Sequence, residues 1–166
     1  MKIRLLAGFP GAGLAGHGLA ELRAWPGAGS GGPSDALGRL ALLAVGGLQD
    51  LGLDRIALQT EFGERLSFQH LPAACDCCVA APVVAVTLGR LLRSGPFAHL
   101  LVLADARMHL EGLERALHRQ ASVIERRGLM TETQRVLLHD PARAGHQAAL
   151  DLVAWAGDGM TFVGQA

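Results

Sequence analysis

The chain of 166 residues carries 15 basic and 15 acidic side chains, so its formal net charge is zero, and half of its residues are apolar. This length and apolar content fit one domain with a single core, and we expect residues 1–166 to form one domain. No basic tract is present that could neutralise a row of phosphates, so we expect no nucleic-acid partner. The charge-free apolar stretch at residues 77–89 is shorter than the roughly 20 residues that span a bilayer, so we expect no membrane partner.

The amino-terminal residues and the cysteines indicate the compartment. Glycines and Pro10 break the apolar run after Arg4, which is unlike the continuous apolar region of a signal peptide. The chain has three cysteines, an odd number that cannot pair completely within it. We therefore expect a cytoplasmic protein with reduced thiols.

Apolar periodicity predicts alternating strands and helices in the first half of the chain. The predicted elements are a strand at 2–7, a helix at 14–25, a helix from Ser34 or Asp35 to Leu51, and a strand at 55–60 that carries Glu61 to Glu64 to the end of the sheet. The stretch at 26–34 is rich in glycine and proline and predicts a flexible insertion.

The second half continues the alternation. Its predicted elements are a helix at 79–93, a strand at 97–103, a helix at 110–124, a strand at 135–138, a helix at 141–155 and a strand at 160–163. Strands that alternate with helices predict an α/β fold with a doubly wound, mostly parallel sheet and helices on both faces. Functional groups are expected at the carboxyl ends of its strands, where Asp105 is one candidate, although a helix cap explains Asp105 equally well.

The tetrapeptide Cys75-Asp76-Cys77-Cys78 gathers every thiol of the chain into four positions. Closely spaced thiolates suit a soft or borderline cation, so we predict bound Zn²⁺ or another divalent metal. The alternative is three reduced thiols that line a buried turn, which cysteine tolerates as a small apolar residue. Zn²⁺ takes four ligands, and the nearest additional candidates are Glu64, Glu61 and His70.

The stretch Gly8-Phe9-Pro10-Gly11-Ala12-Gly13 has the glycine spacing of a phosphate-binding loop. Backbone N–H groups at Gly8, Gly11 and Gly13 are candidates for weak anion binding at the start of a helix. The next residues are Leu14 and Ala15, where such loops have a lysine and a hydroxyl. The only lysine is Lys2 and asparagine is absent, so the Asn-Lys-x-Asp element that reads guanine is excluded. The alternative is a tight turn between strand and helix.

Three motifs in this order resemble the CobW-type metallochaperone GTPases, grouped as the CobW/HypB/UreG class of P-loop proteins. The glycine stretch Gly8–Ala15 is similar to that family's Gly-Phe-Leu-Gly-Ala-Gly-Lys-Thr, residues 60–64 to its Asn-Glu-Phe-Gly-Glu, and residues 75–78 to its Cys-x-Cys-Cys. Residues 91–102 are similar to the approach to its Walker B strand. The resemblance covers roughly residues 1 to 105.

The resemblance implies a P-loop NTPase-like fold and a metal site built from Cys77 and Cys78, with Cys75 as a third ligand and a carboxylate from the Glu61–Glu64 loop. Gln59 stands where the family often has an acidic residue, which implies weaker or altered metal binding. The family's separate C-terminal domain has no counterpart in this sequence.

These observations predict a CobW-like protein that acts in zinc or other divalent metal handling and delivery. Without the lysine and the metal-binding hydroxyl, GTP binding is expected to be weak and hydrolysis absent or residual, so we assign no catalytic residue. The partners would be the metal ion and a client metalloprotein. Two alternatives are a non-catalytic regulatory subunit that pairs with an intact GTPase relative, and a weak GTP-binding protein with residual hydrolysis.

Overall fold

The computed structural model describes residues 2–9, 13–25, 39–72, 81–95, 97–107, 110–125 and 132–138. These residues form a five-stranded sheet in which every pair of neighbouring strands is parallel. In chain order the strands are β1 (Lys2–Gly8), β2 (Leu40–Val45), β3 (Leu66–Leu71), β4 (His99–Asp105) and β5 (Glu132–Leu138). Across the sheet their order is β3-β2-β4-β1-β5.

Five helices connect the strands within the described residues. They are α1 (Leu14–Ala24), α2 (Leu48–Leu51), α3 (Arg55–Phe62), α4 (Ala81–Arg93) and α5 (Leu110–Glu125), and a single 3₁₀ turn spans Gly63–Arg65 between α3 and β3. The chain is therefore an α/β protein built on a parallel sheet. None of the helices in the described ranges has the length and the apolar character needed to span a bilayer.

The central strands are buried on both sides, which explains their nearly continuous apolar sequence. Every residue of β2 is at most 1% exposed, and in β4 the residues from Leu100 to Asp105 are at most 3% exposed. A parallel sheet with covered faces requires such runs, because alternating polar residues would leave unpaired polar side chains in the interior.

Successive residues along β1, β2 and β4 contribute to two separate apolar clusters. The first cluster takes Ile3, Leu5 and Ala7 of β1 together with buried residues of α4 and α5. The second cluster takes Leu6 of β1 together with buried residues of α1, α2 and α3. This division follows from the two-residue period of a strand, in which neighbouring side chains point to opposite faces.

The predicted helix from Ser34 or Asp35 to Leu51 is wrong in its described part, because Leu40–Val45 is strand β2 and only Leu48–Leu51 is helical. An apolar run in which all six residues are buried has no polar face, so its periodicity cannot distinguish a helix from a central strand. Gly46, with a φ of 131°, ends the strand, and Gly47 precedes the short helix.

The predicted strand at 55–60 is also wrong, because these residues belong to helix α3. Asp54 caps this helix: its Oδ1 accepts hydrogen bonds from the N–H groups of Ile56 at 2.8 Å and Ala57 at 3.3 Å. Leu58 and Phe62, four residues apart, bury one face of the helix in the second cluster. The helix ends at Gly63, which has a φ of 55°.

The other predicted elements within the described ranges are confirmed in type, with ends that shift by a few residues. These are β1, α1, α4, β4, α5 and β5. The insertion at 26–34, the predicted helix at 141–155 and the predicted strand at 160–163 lie outside the described residues.

Two glycines of α1 give a matched test of how this helix packs on the sheet. A Cβ at Gly18 would lie 2.8 and 2.9 Å from the two methyl carbons of buried Leu103 in β4, whereas a Cβ at Gly16 would meet nothing within 4 Å. We expect Gly16→Ala to stabilise the protein by about 1 kcal/mol through helix propensity. Gly18→Ala gains the same propensity but overpacks Leu103, so it should be about 1 to 3 kcal/mol less stable than Gly16→Ala. Urea unfolding of both variants measures this difference, and equal midpoints would contradict the packing.

Candidate functional site

Because all strands are parallel, their carboxyl ends lie together along one edge of the sheet, which we call the carboxyl edge. It is defined by Gly8, Val45, Leu71, Asp105 and Leu138, the last residues of the five strands. Gly8 is aligned with Asp105 of the neighbouring strand β4, and the N–H of Ala106 donates a hydrogen bond of 3.0 Å to the Gly8 carbonyl oxygen. The glycine loop and the turn after β4 are therefore in direct contact, at the edge where parallel α/β sheets place their ligands.

The glycine loop leads from this edge into α1. Gly13 is the N-cap of α1 and adopts a left-handed conformation (φ 72°, ψ 23°), with no side-chain cap on the helix. Leu14, the first residue of the helix, is 3% exposed and belongs to the second cluster. The loop thus offers the positive end of a helix dipole without a side-chain cation or hydroxyl, and Gly11 lies outside the described residues.

Asp105 is a buried carboxylate that is fully engaged with the residue two positions further on. Its Oδ1 accepts hydrogen bonds from the backbone N–H of Arg107 at 2.9 Å and from Arg107 Nε at 3.0 Å. Its Oδ2 accepts from Nη2 of the same guanidinium at 2.5 Å. The side chain of Asp105 is 4% exposed, whereas that of Arg107 is 54% exposed. The charge of Asp105 is therefore balanced from the solvent side of the edge.

The same guanidinium reaches a second carboxylate. Arg107 Nη2 also donates to Asp50 Oδ2 at 3.0 Å, and Asp50 lies in α2, directly after β2. Hydrogen bonding to Asp105, and further the charges of Asp105 and Asp50, raise the pKa of Arg107. We refer to Asp50, Asp105 and Arg107 as the edge triad. It ties the turn after β4 to the turn after β2.

The end of β2 approaches the triad closely, and glycine is required there. Gly46 has a φ of 131°, and a Cβ at this position would lie 3.1 Å from the Cβ of Asp105. The Gly46 N–H donates to the Leu71 carbonyl oxygen of β3 at 2.9 Å. Its own carbonyl oxygen lies 2.7 Å from Nε2 of His70, so that nitrogen donates to it. His70, a candidate metal ligand from the sequence, thus uses Nε2 to hold the β2–β3 edge.

The carboxylates predicted as metal ligands lie at the opposite, amino edge of the sheet, where the strands begin. Glu61 is in the last turn of α3 and Glu64 is in the 3₁₀ turn that precedes β3. Glu61 accepts hydrogen bonds from Arg23 Nε at 2.6 Å and Nη2 at 2.8 Å, and this pairing lowers the pKa of Glu61 and raises that of Arg23. The expectation that a strand carries this motif to the carboxyl edge is therefore wrong.

Cys75, Cys77 and Cys78 lie outside the described residues, so their role as ligands stays a prediction. The described ranges alone contain no group of three or more His, Cys, Asp or Glu side chains that could hold a metal ion. The chain enters the cysteine segment after Leu71 and Pro72, at the carboxyl edge, and leaves it at Ala81, where α4 begins.

Sequence reasoning identified Gly8, Gly13 and Asp105 but missed Arg107, Asp50 and Gly46. A usable signal was the spacing of Asp105 and Arg107, because an aspartate at the end of a strand commonly accepts a hydrogen bond from the backbone two residues on. Asp50 and Gly46 were hidden by the incorrect helix prediction for this region.

Removing the guanidinium should destabilise the protein, because it leaves the carboxylate of Asp105 buried with only the backbone N–H of residue 107. We expect Arg107→Gln to lower the free energy of unfolding by about 1 to 3 kcal/mol, a range that is reduced for the exposure of Arg107 to water. Arg115→Gln is the matched control, since the contacts of Arg115 with Glu111 are exposed, an ion pair of 3.9 Å and a hydrogen bond of 3.3 Å from Nε to the carbonyl oxygen, and the change in stability should be less than about 0.5 kcal/mol. Equal urea midpoints for the two variants would show that the triad contributes nothing.

No protein-family model matches the chain, and neither curated proteins nor solved structures give a match. The similarity to the CobW-type family accordingly rests on the sequence motifs.

Proposed function

We propose that this chain is a metal-binding, CobW-like P-loop protein whose GTPase machinery has decayed, and that it handles or delivers zinc or another divalent metal. The observation that carries this proposal is the juxtaposition of Gly8 and Asp105 at the carboxyl edge. A glycine loop beside an acidic residue on the adjacent parallel strand is the layout of a phosphate and Mg²⁺ site. In this chain Leu14 and Ala15 follow the loop, and Arg107 is bound to Asp105.

The proposal includes the finer description of the fold, a doubly wound sheet with helices on both faces. The two apolar clusters support it, because alternate residues of β1, β2 and β4 divide between a cluster with α1, α2 and α3 and a cluster with α4 and α5. Short connections that place successive helices on opposite sides of a parallel sheet are characteristic of P-loop folds and of other doubly wound folds.

Three features of the carboxyl edge support the expected loss of GTP hydrolysis. Phosphoryl transfer depends on cations that neutralise the charge developing on the phosphate oxygens. Leu14 is buried at the position of the lysine, Ala15 replaces the hydroxyl, and the guanidinium of Arg107 already occupies Asp105. An anion held by the glycine loop would therefore lack the lysine and the hydroxyl of such loops, and Mg²⁺ would have to displace Arg107 from Asp105.

We assign the metal to Cys77 and Cys78, with Cys75 as a third ligand. Thiolates bind Zn²⁺ and related ions strongly, and a site with few protein ligands leaves a position through which a recipient protein can take the ion. Both ends of the segment that carries the cysteines belong to the carboxyl edge, where ligands bind in this fold class. Glu64 and Glu61 remain candidates for the oxygen ligand, although six residues of β3, roughly 20 Å of strand, separate Glu64 from the point where the chain leaves the sheet.

A second candidate function is a non-catalytic subunit that pairs with an intact GTPase relative. Its support is the outer face of α4, where Val83 is 48% exposed and Val86 is 52% exposed, one turn apart on the helix that follows the cysteines. The two functions differ in the ligand that the isolated protein retains, because a pairing subunit needs no metal.

Metal analysis of the protein purified under reducing conditions tests the first proposal. We expect about one Zn²⁺ or other divalent ion per chain and a loss of nearly all of it in Cys77→Ser/Cys78→Ser, because the hydroxyl of serine is a poor ligand for these ions. Binding should weaken as the pH falls, since the thiols must lose their protons to bind. His118→Gln, which removes an exposed potential ligand on α5, should keep its metal. A metal-free protein would favour the pairing subunit, whereas equal metal content in all variants would exclude the cysteines as ligands.

Nucleotide assays test the loss of catalysis. We expect no GTP turnover above background with excess Mg²⁺ and at most weak heat of binding by calorimetry, because Leu14 and Ala15 replace the lysine and the metal-binding hydroxyl of such loops. Turnover in the wild-type protein that Gly13→Val abolishes would overturn this expectation. Valine is strained at Gly13, whose φ is 72°, so Ala15→Thr serves as a second variant. GTP turnover that rises in Ala15→Thr would also contradict the expected loss of catalysis.

A further inference from the structure

An aromatic contact joins the end of α1 to the start of β4 at the amino edge of the sheet. Trp25 follows the last residue of α1, is 9% exposed and belongs to the second cluster. His99 is the first residue of β4. The two rings are stacked, with their centroids 4.5 Å apart and an angle of 24° between their planes. His99 thereby holds the carboxyl end of α1 against the central strand.

The histidine ring fits this place as a neutral group. Its Nδ1 atom is buried and has no hydrogen-bond partner within the described part of the chain. In the neutral ring this nitrogen can be the unprotonated one, which leaves only a weak acceptor unsatisfied. A protonated ring would instead carry a buried N–H donor and a positive charge with no acceptor beside it.

The charges around His99 oppose protonation further. Lys2 of β1 is aligned with His99, and Arg39, which precedes β2, accepts a hydrogen bond from Ala98 through its carbonyl oxygen while its guanidinium lies over Phe97. Burial, followed by the charges of Lys2 and the amino terminus, lowers the pKa of His99 below 6.5.

The charged groups of α1 do not stabilise a protonated His99. In the helix that supplies Trp25, Glu21 forms an ion pair with Arg4 and Arg23 forms one with Glu61. Among the described residues no carboxylate forms an ion pair with His99.

We propose that the stack of Trp25 and His99 is a pH-sensitive latch, which is closed while the imidazole is neutral and opens when the imidazole is protonated. A charged ring must be hydrated, so it either leaves the stack or admits water to it, and in both cases Trp25 loses its cover. The other end of α1 begins at the glycine loop, so acid conditions loosen the helix that carries this loop. The latch is independent of any metal or nucleotide.

The sign of the effect follows from linkage. The unfolded chain has the ordinary histidine pKa of about 6.5, whereas the folded state has a lower one. Between these two values the unfolded state binds more protons, so stability falls as the pH falls. The contribution is fully present above pH 6.5 and is lost as the pH drops to the folded-state pKa. Below the folded-state pKa, each unit of difference between the two pKa values has lowered the ratio of folded to unfolded protein about tenfold.

The latch can be tested by the exposure of Trp25 to a soluble quencher. In Trp155→Phe, Trp25 is the only tryptophan, and we expect quenching by acrylamide to rise along a single titration with a midpoint below pH 6.5. His99→Phe keeps an aromatic ring but cannot be protonated, so the rise should disappear. His118→Gln, on α5, is the control and should leave the titration unchanged.

Three results would overturn the latch: quenching that does not change with pH, a midpoint at or above 6.5, or a rise that persists in His99→Phe. If Trp155→Phe does not fold, the wild-type protein gives the same decision by NMR. The imidazole resonance assigned through His99→Phe should then titrate below 6.5, and the protection factors of the amides from Leu22 to Trp25, which correct for the intrinsic pH dependence of exchange, should fall along the same curve. A His99 midpoint at or above 6.5, or amide protection that does not follow the titration of His99, rejects the proposal.

Discussion

The parallel pairing of β2 and β4 in the middle of the sheet is the constraint on which the rest of the structure depends. Because helical residues cover these strands, their backbone groups can bond only to neighbouring strands and their side chains must be apolar. In β2 and β4 the only Asp, Glu, Lys or Arg residue is therefore Asp105, which lies at the carboxyl edge. Asp105, at the last position of β4, is the point where a charge comes nearest to this core, and it is tolerated because Arg107 balances it from outside.

The two edges consequently have different chemistry. The carboxyl edge combines a helix N-terminus, a glycine with a positive φ and the edge triad, in which one guanidinium spans two carboxylates from different turns. Within the described residues this arrangement fixes the turns after β2 and β4 and engages the charges of Asp105 and Arg107. The amino edge instead holds an exposed ion pair between α1 and α3 and the stack of Trp25 and His99. At this edge the proposed protonation of His99 would change how α1 is held against the sheet.

The sequence predicted the α/β class, the parallel sheet and most of the described elements, because their patterns were unambiguous. The amphipathic repeat of α5 and the short apolar runs of β1 and β4 each match one type of element. The predictions for two regions were wrong, for different reasons. The run Leu40–Val45 is apolar at every position, so it has no period, while residues 55–62 look apolar enough for a strand unless Asp54 is recognised as a helix cap. At the candidate site, Asp105 was found from its position at a strand end, but its partners depend on long-range contacts with α2 that no local pattern encodes.

The burial of Leu14 makes it difficult to place a lysine at this position of the glycine loop. A lysine at this position would leave a gap in the second cluster and would bring a charge to a place that is 3% exposed. A metal-binding hydroxyl alone would gain nothing while Arg107 holds Asp105, and loss of Arg107 alone would leave that carboxylate buried and uncompensated. Each single substitution toward a nucleotide hydrolase is thus harmful or neutral. Under the function proposed above, this edge would behave as an evolutionary ratchet, along which the chain can diversify its surface but cannot readily acquire nucleotide hydrolysis.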